Sequence, residues 1–162
     1  YFGDKEGLYL SLVDQLLVPM EVKISEMRGQ AQPGIADFIG SYTELLAANP
    51  WWPNFVIREV LLREGAMREA VLQKFKATMA PTLMLAVQQE IATGSFRKEL
   101  KPEFTLITLL SLAVFPFLAK PIIESVLGIS IERDTATDLA AHSSALFLRG
   151  VEIKQGEEAG HV

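Results

Sequence analysis

The sequence predicts an all-α fold, a helical bundle of about six helices. Two observations carry this. Apolar residues recur at three- and four-residue spacing along most of the chain, in stripes closed by glycine or proline. No segment shows the period-two alternation of a strand, and there is no internal repeat or low-complexity tract.

The first stripe follows Asp4, a good N-cap whose carboxylate suits the free N–H groups of a helix start. Leu8, Leu12, Leu16 and Met20 recur every fourth residue, with Val13, Leu17 and Ile24 beside them. This predicts a long helix to Met27, ended by Gly29 and bent at Pro19. A second stripe runs through Ile35, Phe38, Ile39, Tyr42, Leu45 and Leu46 to Asn49-Pro50. "WWPNFVIREVLLREG" predicts a short helix closed by Gly65, with Pro53 tolerated in its first turn. Ala66 to Gly94 reads as one longer helix that Pro81 kinks or splits. "SFRKELKPE" reads as a loop. Pro102 opens a very apolar helix that ends near Gly128, with bends at Pro116 and Pro121. After the connection "ISIERD", Thr135 to about Val151 forms the last helix, and residues 152–162 form a polar, fraying tail.

Composition limits what such a bundle can do. The 162 residues can build one domain with a sizeable core. Hydrophobic residues make up 49%, and the mean hydropathy is +0.24. There is no cysteine, which excludes disulfides and thiolate metal sites and fits a cytoplasmic location. The net charge of −5 has the wrong sign for a nucleic-acid surface. "TLITLLSLAVFPFLA" is uncharged, but Lys120 and Pro121 stop it short of the ~20 residues of a membrane span. It reads instead as a helix buried on most sides. One face would meet its own domain and the other a second copy of the chain.

No catalytic arrangement stands out, and none of the motifs implies an enzyme, a cofactor or a metal. His142 lies four residues after Asp138 on one helix face, among Ala, Ser and Leu. That pattern predicts an Asp–His hydrogen bond rather than a metal site. Ser143 and Ser144 point away from His142, and no Gly-rich phosphate loop is present. What remains is binding. Aromatic and Met residues concentrate near prolines 53, 81, 116 and 121, and bent helices rich in such residues can enclose a cavity. Trp52, Phe55, Arg58, Glu59, Met84 and Phe115 are the candidate ligand contacts. An inward Glu59 would favour a cationic ligand and an inward Arg58 an anionic one.

The opening "YFGDKEGLYLSLVDQL" resembles the junction of TetR-family transcriptional regulators. There an aromatic pair ends the recognition helix, followed by a small residue, a cap, Lys, an acidic residue, a variable one and Leu. Here these are Tyr1-Phe2, Gly3, Asp4, Lys5, Glu6, Gly7 and Leu8. The likeness is specific over roughly the first twenty residues and architectural beyond them. It implies that residues 1–3 are the stub of a helix-turn-helix domain otherwise missing from this chain. Residues 4–151 would then be the effector-binding and dimerisation domain. Tyr1 and Lys5 match positions that touch DNA phosphates in the family, so DNA would be met only through the missing domain. The implied protein is a transcriptional regulator, read as a repressor, whose small, largely apolar effector changes the tilt of the helix starting at Asp4. The rival readings are a ligand-free helical dimerisation or interaction module and a small hydrolase or metalloenzyme, the latter disfavoured by the missing catalytic groups. An enclosed pocket of several hundred Å³ would favour the effector.

The partner expected is a second copy. Two helices per subunit would form the interface, through Leu110 and Val114 on the apolar helix and Ala136, Ala140, Ser143 and Phe147 on the last. The small residues would let the helix axes approach closely.

Overall fold

The computed structural model describes residues 7–15, 17–19, 22 and 35–153. Tyr1, Phe2, Asp4 and Lys5 lie outside the described residues, as do Gly29 and the tail 154–162. Among the described residues the fold is all-α. Helix α1 spans Gly7–Pro19. It is followed by α2 (Ile35–Ala48), α3 (Trp51–Phe55), a π-helical turn (Val56–Leu61), α4 (Ala66–Ala77), α5 (Met79–Thr93), α6 (Pro102–Leu118), α7 (Lys120–Leu127) and α8 (Arg133–Val151). These helices are more numerous and shorter than the sequence pattern suggested, because prolines divide two of the expected stretches.

Helix α2 is the centre of the bundle. Ile35, Phe38, Ile39, Tyr42 and Leu46 are all buried, and the helix packs against both α8 and α6. Val13 and Leu17 bring α1 onto the same core. Asp14 on α1 also pairs with Lys74 on α4.

The two proline breaks have local causes. Pro81 has no N–H for the carbonyl of Ala77, and its ring crowds that carbonyl. The chain turns at Thr78 (φ −124°, ψ −76°), and Pro81 falls in the first turn of α5. Pro121 sits likewise at the start of α7, and α6 and α7 meet at 71°. No single described helix is long and apolar enough to cross a membrane.

The π-helical turn was not visible as such in the sequence. Its five-residue spacing is seen in the bond from the Leu62 N–H to the Ile57 carbonyl (3.0 Å). In an α-helix Arg58 and Glu59 would follow Phe55 onto the core face. One extra residue per turn brings Val60 there beside Glu59, and Phe55, Glu59 and Val60 are all buried.

Two connections are more ordered than "loop" implies. Phe96 is buried, stands edge-on to Phe147 (6.0 Å, 75°) and donates its N–H to the Glu90 carbonyl (2.9 Å). The Arg97 N–H bonds the Val151 carbonyl (2.8 Å), tying this segment to the end of α8. Between α7 and α8, Glu124 accepts the Ile131 N–H (2.7 Å), while Lys120 donates to the Ile131 carbonyl (2.8 Å).

The expected interface on α8 needs correction. Ala136, Ala140, Ser143 and Phe147 are buried by their own chain, Phe147 to 3% exposure. Small residues do allow a close helix approach here, but the neighbour is α2 of the same chain. The surface α8 presents outward is Asp138, Ala141, His142, Ala145, Leu146 and Arg149. Asp138 and His142 lie exposed there with no hydrogen bond between them, so that expectation is corrected too. Leu110 and Val114 on α6 are half-buried and face a cavity.

Candidate ligand cavity

A cavity of about 520 Å³ lies between α2, α3, α5 and α6. The bends just described shape it. The break at Thr78 lets α5 turn Met79, Ala80 and Leu83 toward it, and α3 contributes Trp52 and Pro53. Tyr42 and Leu46 close it from the core side. On the opposite side its mouth is on α6, where Ile107 and Phe115 line it yet remain 59% and 60% exposed.

The wall is apolar with few polar groups. No Asp, Glu, Lys, Arg or His lines it among the described residues. The Ser111 hydroxyl, near the mouth, donates back to the Ile107 carbonyl (2.7 Å). Deeper, the Trp52 indole N–H bonds the Tyr42 hydroxyl. Burial pushes the Tyr42 phenol above its ordinary value of 10.0, outweighing the lowering effect of that bond, so it is neutral. Tyr42 also stacks on Phe38 (5.3 Å, 15°).

Of the six candidate contacts, the structure brings Trp52 and Phe115 to the cavity, at its inner wall and its mouth. Phe55 lies behind the wall, stacked on Trp52 (5.4 Å, 15°). On its other side it meets Tyr9 of α1 (5.8 Å). Met84 is half-buried on α5 and does not reach the cavity. Arg58 points to water, its side chain 73% exposed. Glu59 is turned inward, but its carboxylate is held by Arg63 (2.9 Å) and Arg58 (3.6 Å) rather than offered to a ligand. Neither charged orientation considered from the sequence therefore bears on the cavity. Tyr42 and Ser111 were missed. The available signal was a Tyr and a Ser inside apolar helical stripes, where a buried hydroxyl needs a partner.

A second hollow of about 490 Å³ lies between the 95–101 segment, α6 and the end of α8. It is lined in part by Lys101, which sits over the Phe104 ring at 5.4 Å, and by Leu146 and Phe147. Among the described residues no group of His, Asp and Glu could hold a metal ion. No family model matches this chain, and no curated protein matches it in sequence.

Proposed function

We propose that this chain is the effector-binding and dimerisation domain of a TetR-like transcriptional regulator, working as a repressor. A small, largely apolar effector occupies the cavity and changes the position of α1, which in the family carries the DNA-reading head. One observation supports this above the rest. The cavity wall is joined to α1 by an unbroken line of rings, from Trp52 through Phe55 to Tyr9. A ligand that displaces Trp52 pushes on the helix whose tilt sets half-site spacing in a dimer.

The dimer in this reading uses α6 and α8, but on other faces than the spacing of small residues suggested. Phe104 is exposed at the start of α6, away from the cavity mouth at Ile107 and Phe115, and Ala141, Ala145 and Leu146 are exposed on α8. Such apolar surface is what a two-fold, self-complementary contact buries.

The test is fluorescence titration with N-phenyl-1-naphthylamine, a neutral apolar dye. Saturable binding of one dye per chain is expected, weakened at least ~10-fold by Leu110→Trp, which fills the cavity. No saturable binding would favour the ligand-free interaction module.

A further inference from the structure

The cavity's polar groups point to a narrower ligand class, given that it is an effector site. We infer that it selects uncharged lipophilic molecules carrying one hydrogen-bond acceptor, and that this acceptor is bound at the inner wall by the Tyr42 hydroxyl.

Which protons are already used decides the donor. The Ser111 proton goes to the Ile107 carbonyl, so Ser111 cannot donate it to a ligand without losing that bond. The Trp52 N–H goes to Tyr42. An indole N–H can only donate, so this bond occupies a lone pair of the phenol, and among the described residues none is seen accepting the phenol's own proton. The phenol is neutral, which keeps that proton in place. Bonding to the indole also polarises the O–H toward a further acceptor. Tyr42 is thus the donor held ready on the cavity wall.

Charge is excluded by the rest of the lining. A carboxylate or ammonium drawn inside would lose its hydration and meet no opposite charge. The nearby carboxylate of Glu59 is already engaged by two guanidinium groups. The rim offers Ile107 and Phe115, so an ionic head left at the mouth gains no partner there either.

The experiment displaces bound N-phenyl-1-naphthylamine with ten-carbon chains that differ in their head group: 2-decanone, decanoate and decylammonium. The ketone should compete at least ~10-fold better than either ion. Tyr42→Phe should weaken the ketone about 3- to 10-fold relative to the dye. Unchanged helix circular dichroism and melting temperature report that the variant keeps its fold. Equal competition by the ions would overturn the charge exclusion. A ketone indifferent to Tyr42→Phe, as expected of a chain entering tail-first, would overturn the assignment of Tyr42. Failure of the dye to bind the unmodified protein would instead remove the effector reading, and this inference with it.

Discussion

Tyr42 carries its proton under more than one constraint. Its hydroxyl is buried, and desolvation raises its pKa above 10.0 despite the indole N–H. The unfolded chain loses that proton at about pH 10, the folded one later. Above that point the unfolded state holds fewer protons, so stability is intact below about pH 10 and falls as pH rises through the folded value. Alkaline titration by tyrosinate absorbance should show one tyrosine ionising only with the loss of helix circular dichroism. Tyr42→Phe should flatten the fall. A Tyr42 that titrates freely in the folded protein would contradict its burial. Glu59 is a different case, buried yet paired with two exposed arginines. Each pair is worth about 1 kcal/mol or less, so Arg63→Ala should cost little in urea unfolding. The sequence marked Glu59 as out of place in an apolar run, and it is inward. Where its carboxylate points depends on the π-helical turn, a register that three- and four-residue periodicity does not encode.

At the scale of elements, glycine shows how position sets the sign of one substitution. Gly94 ends α5 in the left-handed region (φ 81°), which an added Cβ opposes. Gly40 lies inside α2 with open space where a Cβ would go. Gly94→Ala should cost about 1 kcal/mol. Gly40→Ala should gain about 0.5–1 kcal/mol. Thermal melts of the two variants on either side of the parent would check both. The helix ends at Asn49-Pro50, Gly94 and Gly128 were legible because each is marked by residue chemistry. Pro81 and Pro121 were legible as breaks for the same reason. The faces of α8 were not. Small residues at Ala136, Ala140 and Ser143 announce a close helix contact without saying whether the neighbour is another chain or α2. The apolar α6 posed the same ambiguity, with apolar residues nearly all round and only one face, at Leu106, Leu109, Ala113 and Phe117, covered.

For the whole molecule these faces give opposing outcomes. Phe147 is buried against Phe96, so Phe147→Asp should unfold the chain, with a loss of several kcal/mol. Leu146, one residue earlier, is exposed. Leu146→Asp should keep the helix content and melting behaviour while turning a dimer into monomers in sedimentation. A Leu146→Asp protein that remains dimeric would remove the proposed contact from α8. With a net charge of −5, the chain by itself should show no sequence-specific DNA binding in gel shifts.

The central claim is that the cavity and α1 move together. It is tested most directly by amide hydrogen exchange, read by mass spectrometry, with and without saturating N-phenyl-1-naphthylamine. Exchange should slow in α3, α5 and α6, which wall the cavity, and should change in residues 7–19 through Trp52, Phe55 and Tyr9. Helix α7, away from the cavity, should be unaffected. Slower exchange at the cavity walls with α1 unchanged would contradict the account.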